Sequence, residues 1–146
     1  MATDHLSTPS NTPATREEWD AAFAAYLKID AEADAALAAW NAARDRYIEL
    51  TGRDTHIEPF DKEAAEASGF TALNENIDDE GERVSEAIDA LIQLPAPDAA
   101  ALLWKLNYII ASEIDDEGEG GSTPCWSGAF VAQTIADMRR ILGGEA

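Results

Sequence analysis

"TREEWDAAFAAYLKIDAEADAALAAWNAARDRYIEL", residues 15–50, runs for 36 residues without a glycine or a proline. Twelve of them are alanine, the residue with the strongest intrinsic helix preference. "TREE" opens the stretch as a capping box: the Thr15 side chain reaches the third helical N–H, and Glu18 reaches back to the Thr15 N–H. Gly52 follows as a C′ residue. The reading is one helix over roughly residues 16–50, about 52 Å long at 1.5 Å per residue.

A helix of that length needs a partner along most of its surface. Trp19, Tyr26, Ala33, Trp40 and Tyr47 recur every seven residues, and Phe23 and Leu37 sit four after members of that row. This is one seam of a heptad-like stripe. Asp30 and Arg44 interrupt the companion row. Trp19, Phe23, Tyr26, Leu37, Trp40 and Tyr47 are therefore the candidate packing and self-association residues, against this chain or a second copy of it.

Working outward, residues 1–14 read as a disordered tail of Ser, Thr, Pro and Asn with nothing to bury. They carry no apolar core, so no secretory signal is expected there. After Gly52, a short helix is expected from an Asp61 cap to about Ser68, with Phe60 and Phe70 anchoring the connection. Residues 72–93 form an amphipathic helix with Leu73, Ile77, Val84, Ile88 and Leu91 on one face. "LPAPD" stops it. Asp98 caps the next helix, about 99–113, with Leu102, Leu103, Leu106, Ile109 and Ile110 as its apolar residues. The last helix begins near Pro124 or Ser127. Val131, Ile135, Met138 and Leu142 are expected to line its buried face, and Gly143 ends it. No segment alternates as a strand does. The expected fold is all-α: a single domain over 15–146, a helical bundle of about four main helices built on the long N-terminal one.

Charge narrows the function. The 146 residues hold 29 acids and 10 bases, a net of −19. Such a chain is repelled by nucleic-acid backbones and anionic membranes, so neither is an expected partner. A basic protein surface built for nucleic acid is a different matter, because it attracts this charge. Cys125 is the single cysteine, which rules out an internal disulfide and points to a reducing compartment. No stretch approaches ~20 uninterrupted apolar residues. The expected location is the cytoplasm.

"IDDEGE" occurs at Ile77–Glu82 and again at Ile114–Glu119. Neither copy completes a calcium loop. Ala87 stands where the first needs its bidentate glutamate, and Pro124 stands there in the second. The similarity does not extend beyond six residues, so the chain is not an internal duplication. On a helix the first copy turns Ile77 inward and Asp79 and Glu82 outward, with Asp78 at the margin of the outer face and Glu80 nearer the flank of the apolar one. Glu75, Asp78, Asp79, Glu82, Glu86 and Asp89 then form an acidic face, the candidate partner-binding residues. Residues 61–98 carry 11 acids and 2 bases. The second copy reads as a glycine-loosened loop.

Catalytic motifs are lacking. His5 and His56 lie outside any recognisable arrangement, and Cys125 has no local histidine. No phosphate-binding glycine loop, zinc spacing or nucleophile elbow is present. No catalytic residue, cofactor or metal ligand is expected, and the chain is read as a binding protein and not an enzyme.

The C-terminal third, "PAPDAAALLWKLNYII", an acidic loop and "STPCWSGAFVAQTIADMRRILG", resembles small phage- and prophage-encoded proteins of unknown function from bacteria. The resemblance spans roughly residues 95–143, with Trp104, Lys105, Leu106, Trp126 and Ser127 its most distinctive positions. It brings no catalytic residues and implies a mobile-element context. Acidic proteins of this size in that setting are similar to inhibitors of host nucleic-acid enzymes, including anti-CRISPR and other DNA-mimic proteins. The leading expectation is thus an inhibitor that docks its acidic face on a basic host protein. The alternatives are a homodimeric structural or assembly factor and a small enzyme using carboxylates and a metal.

Overall fold

The Thr15 N–H donates to Glu18 Oε2 at 2.7 Å, and the Glu18 N–H donates to Thr15 Oγ1 at 3.1 Å. The capping box thus starts helix α1, Arg16–Thr51, as its residues dictate. Gly52, at φ 71°, ends it in the left-handed conformation that favours glycine. This computed structural model describes residues 9–115 and 128–143, with side chains of 112–115 and 128–130 left aside. Four more helices follow: α2, Lys62–Ser68; α3, Phe70–Gln93; α4, Ala99–Asp115; and α5, Gly128–Leu142. All regular structure among the described residues is helical. Caps fall where expected. Asp61 Oδ1 accepts the Ala64 N–H, and Asp98 Oδ1 accepts the Ala101 N–H. Both possible starts proposed for the last helix, Pro124 and Ser127, lie outside the described residues.

The chain divides into two compact units, residues 25–87 and residues 1–24 with 88–146. In the first, Ala43, Tyr47, Ala65 and Phe70 form a buried cluster, with Trp40, Ala64 and Leu73 packed on it. Phe60 stacks on Tyr47 at 5.6 Å, and the Tyr47 hydroxyl accepts the Asp61 N–H at 3.0 Å. The Arg46 guanidinium donates twice to the Ser68 carbonyl at the end of α2. Phe60 and Phe70 thus anchor the connection after α1, as their spacing suggests.

The second unit buries Trp19, Leu91, Ile92, Ala96, Ala101 and Leu102. Its interior also holds an ion pair. Lys105 and Asp137 have no exposed side-chain surface, and Lys105 Nζ lies 2.6 Å from Asp137 Oδ2. Lys105 also donates to the Leu94 carbonyl at 2.6 Å and sits 5.6 Å from the Trp19 ring centroid. Asp137 accepts further from the Ala96 N–H, Gln133 Nε2 and the Arg140 guanidinium. A buried carboxylate with this many donors is satisfied as the interior demands.

Two expectations change here. Residues 9–14 are not a loose tail. Gln133 accepts the Ser10 N–H at 2.9 Å and donates to the Ser10 carbonyl at 3.0 Å, while the Ala14 N–H donates to the Pro95 carbonyl. Residues 1–8 lie outside the described residues. The larger correction concerns α5. Gln133, Thr134 and Asp137 face inward, whereas Val131, Ile135, Met138 and Leu142 are 45 %, 41 %, 37 % and 63 % exposed. The physical reason is the buried ion pair. Lys105 needs a carboxylate within the unit, and Asp137 supplies it only if the polar side of α5 turns in.

Candidate functional site

Helix α3 builds the acidic surface. Its apolar residues at three- and four-residue spacing give it an inward side, with Leu73, Ile77, Val84 and Ile88 half-buried and Leu91 buried. The opposite side then carries the acids outward. Glu75, Asp78, Asp79, Glu82 and Glu86 are all exposed, and none has an ion-pair partner among the described residues. Asp89, the sixth expected member, is half-buried and engaged in an interaction of its own. The row proper is therefore five carboxylates from Glu75 to Glu86.

Those five span about 16 Å of helix axis, or one carboxylate per 3–4 Å; a single DNA strand carries one charge per about 3.4 Å. The first "IDDEGE" supplies the middle of this row. Its Ile77 is half-buried, its Asp78, Asp79 and Glu82 are exposed, and its Glu80 turns toward Arg83. Of the second copy, Ile114 and Asp115 belong to α4 and the rest lies outside the described residues.

Arg83, the one base on α3, does not neutralise the row. Its guanidinium lies 3.1 Å from Glu80 and 2.9 Å from Glu32 of α1. Hydrogen bonding to Glu32 and the charge of Glu80 raise its pKa above the ordinary arginine value. Beside this pair lies a groove of about 330 Å³, lined by Asp30, Ala33, Asp34, Leu37, Ile77, Glu80, Gly81 and Val84. Leu37, Ile77 and Val84 give it an apolar lining, and Asp30, Asp34 and Glu80 line it with carboxylates. Sequence reading set Asp30 aside as a flaw in the heptad pattern. Gly81 also lines the groove, and an added Cβ there would meet nothing within 4 Å.

The aromatic row of α1 is used within the chain. Trp19 is buried, and both Trp19 and Phe23 meet the Trp104 ring edge-on, at 6.2 and 5.3 Å. Trp40 packs on Phe70 and donates its indole N–H to Asn74 Oδ1, and Tyr47 is fully buried. Tyr26 is half-buried. Leu37 is the exposed member, at 48 %. With Trp19 and Tyr47 inside their units, no seam to a second copy can use the whole row.

Other candidates are quickly placed. His56 is exposed, with Nδ1 3.6 Å from Asp54 Oδ1, and Asp54 is held by Arg44. His5 and Cys125 lie outside the described residues. Among the described residues, no group of three or more His, Cys, Asp or Glu side chains is placed to hold a metal ion. No described helix is long and apolar enough to cross a membrane. No family model, curated protein or solved structure matches the chain.

Proposed function

We propose that this is a non-enzymatic binding protein that uses the acidic face of α3 to dock on a basic, nucleic-acid-handling protein and block it. The observation that carries this reading is the row Glu75, Asp78, Asp79, Glu82 and Glu86: exposed, lacking ion-pair partners among the described residues, and as dense in charge along its axis as one DNA strand. A surface made to receive phosphates meets in this row a similar linear charge on a rigid helix.

The groove beside the row adds specificity. A Lys or Arg side chain of the partner can lay its aliphatic stem on Leu37, Ile77 and Val84 and bring its charged head to Asp30, Asp34 and Glu80. We take residues 95–143 to resemble phage and prophage proteins, and on that reading the target is a host protein of the kind that anti-CRISPR and DNA-mimic inhibitors bind. The protein would then act in the bacterial cytoplasm.

The test is capture from a bacterial lysate on two baits, the native chain and a variant with Glu75, Asp79, Glu82 and Glu86 changed to lysine. The expected result is a basic nucleic-acid-binding protein on the native bait, released by added duplex DNA and absent from the variant bait. Equal capture on both baits contradicts the reading. A second reading, a homodimeric assembly factor, is favoured by the exposed apolar side of α5.

A further inference from the structure

Residues 99–112 and 128–143 contain one acid, Asp137, in a chain with 29. That acid is buried against Lys105. The surface of α4 and α5 within these residues is thus acid-free, and exposed Arg139 lies in it. The same two helices carry six of the large exposed apolar side chains, Leu103 and Ile110 on α4 and Val131, Ile135, Met138 and Leu142 on α5.

The α5 residues are separated by four, three and four positions, which is the spacing of alternating d and a positions in a heptad. A helix turned with this stripe to water presents an unpartnered seam. Beside it runs a groove of about 790 Å³, lined by Pro9 and Asn11 and by Ala132, Ile135, Ala136, Arg139 and Arg140 of α5. Small residues at 132 and 136 leave the hollow that a neighbouring knob fills.

We infer that the α5 stripe is the seam of a homodimer, with a second copy of this chain as the occupant. Charge selects that occupant. Two chains of −19 repel wherever their acids meet, and residues 99–112 and 128–143, with no acid at their surface, are where they can approach without that cost. A ridge lying beside a hollow is self-complementary, as a two-fold interface requires. The four α5 side chains are between 37 % and 63 % exposed, so each copy brings an apolar stripe to the seam. This inference does not depend on the partner proposed for α3.

Sedimentation equilibrium of the full chain from about 1 to about 100 µM tests it, the range in which an interface of modest size dissociates. The expected mass at the upper end is twice 15.7 kDa. Ile135→Glu with Met138→Glu should return it to 15.7 kDa with helical circular dichroism unchanged. Should that variant lose helicity, Val131→Ser with Leu142→Ser is measured in its place, with the same expected loss of mass. Leu37→Glu, in the other unit, should keep the doubled mass. A native chain that stays at 15.7 kDa at the highest concentration overturns the inference, as does a doubled mass in the α5 variants or its loss in Leu37→Glu.

Discussion

The Lys105 ammonium lies inside its unit with Asp137 Oδ2 and the Leu94 carbonyl each at 2.6 Å. Burial pushes its pKa below the ordinary lysine value, the bond to Asp137 pulls it back up, and Arg140 adds to the lowering. Removing one partner leaves the other charge without compensation. Lys105→Met is expected to cost about 3–5 kcal/mol of stability in urea unfolding, and Lys105→Met with Asp137→Leu to recover most of it. Asp98 behaves differently because it sits at the surface. The Ala101 N–H and Arg16 hold its carboxyl below the usual aspartate range. The folded chain therefore binds that proton less readily than the unfolded chain does. The stabilisation is present above about pH 4 and is lost as pH falls through the lowered folded value. Asp98→Asn, which keeps the cap acceptor, should flatten the fall in melting temperature on the acid side relative to the native chain.

Among the elements, α3 was legible, apart from Asp89, because its two faces differ in kind, apolar residues against carboxylates, and Gly81 interrupts neither. At Gly81 the backbone is not left-handed, and the space around an added Cβ is open. Gly81→Ala should raise stability by about 0.5–1 kcal/mol in thermal or urea melts. Helix α5 was misread for a physical reason. It carries two stripes, Val131–Ile135–Met138–Leu142 and Gln133–Thr134–Asp137–Arg140, each at helical spacing. Hydrophobicity alone ranks the first as core. The second goes inward because Lys105, the one base on α4, has to find a carboxylate within the unit. The signal was there in a lysine flanked by Trp104 and Leu106, but its partner lay 32 residues away. Gln133 shows the same limit. Nothing local announces that its amide clamps the Ser10 backbone, 123 residues distant. Gln133→Ala should speed amide hydrogen exchange at Ser10 while leaving exchange in α1 unchanged.

At the scale of the molecule, charge is unevenly shared. Residues 25–87 carry 16 acids and 6 bases, whereas residues 99–112 and 128–143 hold one acid, the buried Asp137. One part of the chain therefore offers a negative row, and another offers apolar contact without repulsion. A partner held by the row should bind less tightly as salt rises, since the Debye length shrinks from about 10 Å at 0.1 M to about 3 Å at 1 M. The decisive issue is whether binding follows the row itself or only the total charge. Two variants with equal charge change separate these, Asp79→Lys with Glu82→Lys on α3 and Asp45→Lys with Glu49→Lys on α1, all four side chains being exposed. The measurement is the dissociation constant of each, by calorimetry, for the captured basic protein. The expected result is a loss of about tenfold or more for the α3 variant and about threefold or less for the α1 variant. Equal losses in the two, or none in the α3 variant, would contradict the assignment of α3 as the binding face.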